Sequence, residues 1–176
     1  MLRRFAVAVA SAALSAGAAA QDLPITAFAG HFVGTGLARS DLSEYFDLTV
    51  RDLDVRITPR DGGFALTWTT VIRVGDPDDP EIKRKSTAMF FVPAGRPNLF
   101  RGAPEVDPLS GRPFAWARVK DQTLTVHWLV ITDDGSYEVQ TYDRTLTGEG
   151  MKLEFTRVRD GEPVRSVTGL LTKEGG

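Results

Sequence analysis

The sequence predicts an all-β protein, an antiparallel up-and-down meander closed into a β-barrel of about eight to ten strands. After Phe28 the chain consists of short runs rich in Val, Ile, Thr and aromatic residues, and Gly, Asp or Pro separates these runs. Parallel strands would each need a crossover of about a dozen residues, usually a helix, and helical patterns are scarce here. Successive hairpins therefore favour a closed barrel, with a β-sandwich as the alternative.

The first twenty residues precede the strand pattern and are typical of a secretory signal peptide. Arg3 and Arg4 give a charged start, an apolar run follows from Phe5 to about Leu14, and three alanines end at Ala20. We expect cleavage after Ala20, with residues 1–20 as the signal peptide and 21–176 as a single barrel domain. The mature protein would then be periplasmic or secreted, and no later segment is long and apolar enough for a transmembrane helix.

The first strand is predicted near residues 30 to 36, within the sequence AGHFVGTGL. Its glycines suggest a phosphate-binding loop, but such a loop needs a helix directly after it to hold the anion, and no helical pattern follows Gly36. As a strand, the segment turns Phe32 toward the interior. Gly30, Gly34 and Gly36 then stand where neighbouring backbones approach closely.

The next two strands are predicted near residues 45 to 58 and 64 to 74. In the second of them the even positions from Phe64 to Val74 are mostly large and apolar, so these side chains face the core. In the first, Phe46, Leu48 and Val50 hold one phase and the apolar residues after position 52 hold the other. This shift predicts a β-bulge at Arg51-Asp52.

A fourth strand near residues 82 to 92 leads into a long connection, 93–113, that is either a lid or contains a short edge strand at 98–101. After it, hairpins join the remaining predicted strands, near 114–119, 123–131, 137–146, 151–158 and 164–173. Met89–Val92 and Trp128–Ile131 are apolar on both strand faces, which predicts burial on both sides. The outer apolar surface would then be covered by the long loop, a terminal segment, a second copy in a homodimer or an envelope partner.

Composition excludes several kinds of site. The chain has no cysteine and a formal net charge of −2, with 21 basic and 23 acidic side chains interspersed. Thiol chemistry and cysteine-bound metals are therefore excluded, and no basic stripe points to nucleic acid. Strand parity places His31 and His127 on the outer face, and the acidic residues from Asp76 to Glu81 lack the spacing of a calcium loop. We expect no metal site and no cofactor.

Aromatic side chains on separate strands are the most suggestive functional feature. In a closed barrel several of them would surround one interior, with an arginine as a polar anchor, as in an apolar ligand pocket. The predicted ligand-binding residues are Trp68, Trp116, Trp128, Tyr142, Arg144, Phe155 and Arg157.

Three classes of function are weighed on this basis. The first is non-catalytic binding of a small apolar or amphipathic molecule by an exported barrel. The alternative is a cell-envelope scaffold or partner-binding protein, because the aromatic residues can equally fill a barrel of this size. An enzyme that uses the pocket as a reaction chamber has no residue to support it, and no Gly-x-Ser-x-Gly nucleophile elbow occurs.

The Gly30-x-Phe32 pair on the first strand, followed by a hairpin meander to the C-terminus, resembles the calycins, which include lipocalins and fatty-acid-binding proteins. In lipocalins the corresponding motif is Gly-x-Trp, and an arginine on a late strand packs over the tryptophan at the closed end. This chain carries Phe32 in place of the tryptophan. The resemblance implies that Arg157 takes the role of the late arginine.

Overall fold

The computed structural model describes residues 21–40, 48–76 and 78–175, which form a closed barrel of ten antiparallel strands. The strands are β1 (Gly30–Ser40), β2 (Leu48–Arg60), β3 (Gly63–Asp76), β4 (Asp79–Pro93), β5 (Leu99–Ala103), β6 (Phe114–Lys120), β7 (Thr123–Ile131), β8 (Tyr137–Thr147), β9 (Gly150–Arg159) and β10 (Glu162–Glu174). Two short 3-10 helices, Ile25–Phe28 and Pro108–Ser110, are the helical elements of the described ranges. The predicted all-β class is confirmed.

The strand order is that of a meander, in which every strand pairs with its neighbours in the chain and β1 pairs with β10. This arrangement confirms the closed barrel and excludes the sandwich, because closure leaves no unpaired edge. Of the two alternatives for the long connection, the strand is confirmed: β5 lies between β4 and β6 and completes the wall. The 3-10 helix Pro108–Ser110, further along the same connection, contacts β7.

The predicted bulge at Arg51-Asp52 is wrong. Strand β2 pairs with β1 and β3 through this point with no shift in register. Leu48 and Val50 accordingly lie on the outer face, where they are 62% and 57% exposed. A continuous ladder keeps every backbone hydrogen bond of the strand, and two exposed apolar side chains do not interrupt it. Phe46, the third residue of that phase, lies outside the described residues.

One end of the barrel is filled by a phenylalanine core. Phe64 stacks on Phe91 with ring centroids 4.7 Å apart, and Phe100 meets Phe64 edge to face at 5.2 Å. The 3-10 helix Ile25–Phe28 belongs to the same core and brings Phe28 to 0% exposure. The residues before the first strand thus contribute to the core at this end.

The glycines of the first strand stand where two backbones meet, as the sequence predicts. A Cβ atom added to Gly34 would lie 2.0 Å from the backbone oxygen of Leu170 on β10, and one added to Gly36 would lie 3.1 Å from that of Thr168. No side chain fits at the first distance. The close approach of β1 to β10 therefore requires a glycine at position 34.

Burial on both faces is found only in part. The residues from Trp128 to Ile131 are half-buried, whereas Phe90 is 50% exposed, so the expectation for Met89–Val92 is wrong at Phe90. The 3-10 helix Pro108–Ser110 contacts β7, the strand that contains Trp128–Ile131. The proposed signal peptide, 1–20, lies outside the described residues. Within them, no helix is long and apolar enough to cross a bilayer.

Candidate functional site

A cavity of about 230 Å³ occupies the half of the barrel interior away from the phenylalanine core. Inward-facing side chains of β2, β3, β4, β7, β8, β9 and β10 line it. Four aromatic residues among the predicted site residues contribute to this lining: Trp68, Trp128, Tyr142 and Phe155. The barrel is thus filled at one end and hollow at the other, which the sequence left open.

The four aromatic rings form one continuous surface. Trp68 lies on β3, and its ring contacts Trp128 edge to face at 6.3 Å and Tyr142 at 5.1 Å. Tyr142 pairs with Phe155 across β8 and β9, and their ring centroids are 4.7 Å apart. We call Trp68, Trp128, Tyr142 and Phe155 the aromatic floor. Strand register explains the contact between Tyr142 and Phe155, which lie on neighbouring strands. Closure of the barrel brings Trp68 of β3 against β7, β8 and β9 on the opposite side.

Trp116 does not belong to this floor, and its expected position in the interior is wrong. It pairs with His127 across β6 and β7, and the two rings stack at 4.6 Å. The side chains of Ala115 and Ala117, on either side of it, are the buried ones. Because side chains alternate along a strand, Trp116 lies on the outer face. The sequence of β6 does not reveal the outward position of Trp116, because the residues on its inner face, Ala115 and Ala117, are small. Small side chains suit a crowded part of the barrel interior.

Arg144 lies below the aromatic floor and is 0% exposed. Its guanidinium carbon is 5.5 Å from the ring centroid of Trp68 and 5.2 Å from that of Tyr142, distances of cation–π contact. None of its three side-chain nitrogens has a hydrogen-bond partner among the described residues. Burial lowers the pKa of Arg144 to about 10, against the opposing effects of Tyr142 and Asp143.

Arg157 reaches the cavity wall rather than the closed end. It donates a hydrogen bond to Glu138, which also accepts one from Gln140, and Tyr142 donates its hydroxyl hydrogen to Gln140 over 2.8 Å. Burial acts to raise the pKa of Glu138, but hydrogen bonds from Arg157, Gln140 and Arg159 outweigh it and hold the pKa below its usual value. Burial raises the pKa of Tyr142 to about 12. The wall is thus a hydrogen-bonded chain from a neutral phenol to a charged carboxylate.

The role that the calycin resemblance implies for Arg157 is not found. At the closed end Phe32 is met by Lys173 of β10, whose ammonium nitrogen is 5.8 Å from the ring centroid. Lys173 is the cross-strand partner of Phe32, whereas Arg157 lies further toward the other end of the barrel. A cation therefore does cover the ring of Phe32, but it is Lys173 of the neighbouring strand β10 and not Arg157.

Three cationic residues of the cavity were missed by the sequence reasoning. Arg51, Lys85 and Arg165 line it from β2, β4 and β10. Burial, and then the charge of Arg165, lower the pKa of Arg51. The alternation of side chains along each strand could have predicted their inward direction. Arg51 is in phase with Leu53, Lys85 with Met89 and Arg165 with Val167. The incorrectly predicted bulge concealed the phase of Arg51.

The two histidines lie on the outer face, as strand parity predicts. The His31 ring is 3.1 Å from Asp54 and 3.5 Å from Glu174. The His127 ring stacks on Trp116 and shares a hydrogen bond of 3.2 Å with Thr141. Burial lowers the pKa of His127, Asp143 acts to raise it, and Arg118 lowers it further. In the ranges 21–40, 48–76 and 78–175 no group of three His, Asp or Glu side chains is arranged to hold a metal ion.

No family model matches the chain, and no curated protein gives a significant match. Among solved structures, the fold is similar to the S-type phycobiliprotein lyase CPES from Guillardia theta. The TM-score is 0.57 over 86% of this chain and 91% of that chain, with 9% sequence identity. At this identity the similarity is one of fold alone.

Proposed function

We propose that the protein binds a small apolar or amphipathic molecule in the hollow half of its barrel, without catalysing a reaction. The observation that carries this proposal is the cavity of about 230 Å³ with the aromatic floor at its base. A concave, largely apolar site with a few polar groups is the usual form of a small-molecule site. A barrel fold similar to that of a phycobiliprotein lyase fits ligand binding in general.

The aromatic floor gives such a ligand a surface on which a ring or a bent chain can pack. Its rings contact one another, so their orientations are set before the ligand arrives and little side-chain freedom is lost on binding. The hydrogen-bonded wall of Tyr142, Gln140 and Glu138 offers polar groups beside that surface. Together they suit a molecule with an apolar body and a polar end.

A neutral fluorescent probe, N-phenyl-1-naphthylamine, tests this function. We expect saturable binding with a dissociation constant on the order of micromolar, as for an apolar ligand of modest size. Thr70 lines the cavity, so Thr70→Trp fills it and should weaken binding at least about tenfold, a difference of ~1.4 kcal/mol. The probe is excited where tryptophan does not absorb.

The matched control is Thr168→Trp, the same change at an exposed position of β10. It should bind the probe as the unaltered protein does. Equal binding by all three proteins would mean that the probe binds outside the cavity. Absence of binding to the unaltered protein, both for this probe and for the anionic probe introduced below, would contradict the function itself.

We also propose that the protein is exported, on the basis of residues 1–20. Expression of the full chain in a Gram-negative host should give a periplasmic product whose mass corresponds to a start at Gln21. Replacing Ala18 and Ala20 by bulky residues should leave the precursor uncut, because the signal peptidase requires small residues there. A cytoplasmic, full-length product from the unaltered chain would contradict export.

A second candidate function, partner binding through the outer face, is favoured by one observation. Leu37 and Val50 are cross-strand partners, Leu48 follows on the same face, and all three are more than half exposed. We propose self-association through this surface as its simplest form. Sedimentation should then show a dimer that Leu48→Glu dissociates, and a monomer at all concentrations would remove this candidate.

A further inference from the structure

The cavity carries a positive charge that contrasts with the rest of the molecule. The chain as a whole has a net charge of −2, yet Arg51, Lys85, Arg157 and Arg165 all line this cavity. Among the described residues that line the cavity, the single carboxylate is that of Asp54, which lies 3.1 Å from the outer-face residue His31. The cavity is therefore cationic although the protein is acidic.

Three of these cations, Arg51, Arg157 and Arg165, act on one another or stand as direct neighbours. Arg157 and Arg165 are direct cross-strand partners on β9 and β10, an arrangement in which like charges repel. Besides burial, the charge of Arg165 on β10 lowers the pKa of Arg51 on β2, with β1 between the two strands. At the level of Arg51, β1 carries Gly36 and β10 carries Gly169, so no side chain stands between β2 and β10 there. The repulsion between these side chains is a cost to the folded protein.

The carboxylate that balances part of this charge is already in use. Glu138 binds both Arg157 and Arg159. For Arg51, Lys85 and Arg165, no carboxylate of the described ranges lies within ion-pair distance. The Nε atoms of Arg51 and Arg157 are also buried without a hydrogen-bond partner in the same ranges. Buried donors of this kind are rare in proteins and mark a place where a partner is expected.

We propose that the ligand is an amphipathic anion, with its carboxylate, sulfonate or phosphate group between Arg51, Arg165 and Lys85 and its apolar body on the aromatic floor. This inference rests on the ligand-binding function proposed above. An anion accepts charge-assisted hydrogen bonds from the guanidinium groups and removes the repulsion between them. The cationic residues and the floor line the same cavity, so one small molecule reaches both.

Two probes with the same apolar body separate this inference from the proposed function. One is the neutral N-phenyl-1-naphthylamine, and the other is 8-anilino-1-naphthalenesulfonate, which adds a sulfonate. We expect the anionic probe to bind the unaltered protein at least about tenfold more tightly. Added salt should weaken the binding of the sulfonate and leave that of the neutral probe unchanged.

The double variant Arg51→Met with Arg165→Met should bind both probes with similar affinity, because it removes the charge and keeps an unbranched side chain at each position. Arg60→Met with Arg118→Met is the matched control, since it removes the same charge from exposed positions of β2 and β6. It should keep the preference. Lys85→Met, at an exposed position, tests the third cation in a protein whose fold is undisturbed and should reduce the preference in part.

Each outcome decides one point. If neither probe binds, the proposed function fails and this inference with it. If both probes bind the unaltered protein equally, the ligand-binding function stands and the anionic ligand is excluded. If the preference for the sulfonate survives both the double variant and Lys85→Met, the anion is bound elsewhere and the assignment to these residues is overturned.

Discussion

Arg144 is the most unusual single residue of the structure. A wholly buried guanidinium group normally has a carboxylate or several carbonyl oxygens around it, and here it has two aromatic rings. Its pKa is lowered on folding to about 10, so the protonated side chain destabilises the folded state at every pH below that value. The cation–π contacts offset part of this cost.

Arg144→Met should therefore stabilise the protein by about 1–3 kcal/mol, as an apolar side chain of similar length does at other buried charges. The measurement is urea unfolding followed by tryptophan fluorescence at neutral pH. Arg118→Met, at an exposed position, should change the unfolding free energy by less than about 0.5 kcal/mol. A loss of stability in Arg144→Met would show that the two ring contacts outweigh the burial of the charge.

At this scale the sequence predicted part of the site. Trp68, Trp128, Tyr142 and Phe155 meet as strand alternation suggested, because each occupies an inward position of its own strand. The expected inward position of Trp116 is wrong because Ala115, Ala117 and Val119 hold the inward positions of β6. The size of an aromatic side chain therefore does not predict by itself which face of a strand it occupies.

Among the elements, β1 shows most directly how a few residues determine an architecture. Its glycines let β10 approach, and the interior next to them is filled by side chains of other strands: the Cδ1 atom of Leu53 lies 2.8 Å from the place of a Cβ atom at Gly36. The segment that resembles a phosphate loop is thus the seam of the barrel. Its glycines serve packing and not anion binding.

Gly34→Ala should destabilise the protein by about 2–4 kcal/mol, because the added methyl group meets a backbone oxygen and one of the two strands must move. Gly148→Ala is the control, since nothing lies within 4 Å of a Cβ atom there. It should change stability by less than about 0.5 kcal/mol. Thermal unfolding of the three proteins measures both values. A tolerated Gly34→Ala would mean that β1 and β10 are further apart than described.

Strand β2 shows the limit of pattern reasoning for an element. The change of apolar phase predicts a bulge, but the strand keeps its register and exposes Leu48 and Val50. The error arose because exposed apolar residues are common on protein surfaces, whereas a bulge is the rarer event. A shift in register does occur, in β10 between Pro163 and Arg165, where the proline cannot donate to the ladder.

For the molecule as a whole, the pairing of β1 with β10 is the decisive contact. It joins the two ends of the described chain and places Arg165 beside the first strands. Pairing between residues so distant in sequence carries a large cost in chain entropy, which the buried interior must offset.

A disulfide across this seam should stabilise the protein accordingly. Leu37 and Thr168 are cross-strand partners with exposed side chains, and the chain contains no cysteine to compete with an introduced pair. Leu37→Cys with Thr168→Cys should raise the unfolding free energy by about 4–5 kcal/mol, because the closed loop is long. Reduction should abolish the gain.

The control is Thr145→Cys with Lys152→Cys, partners in one hairpin of β8 and β9. Its short loop should yield only about 2–3 kcal/mol. Equal gains from both crosslinks, or an introduced seam pair that stays reduced under oxidising conditions, would argue against closure of the barrel between β1 and β10.

The sequence by itself determined the class of the fold, the order of the hairpins and, within most strands, which side chains face inward. These properties follow from alternation and from turn residues, which act over a few neighbouring positions. The tertiary structure alone decided which strands surround the same part of the interior. It placed Trp68 against Tyr142, gathered Arg51, Lys85 and Arg165 at one cavity, and left Trp116 outside. The stagger between strands sets these contacts, and it depends on pairing between residues far apart in the chain.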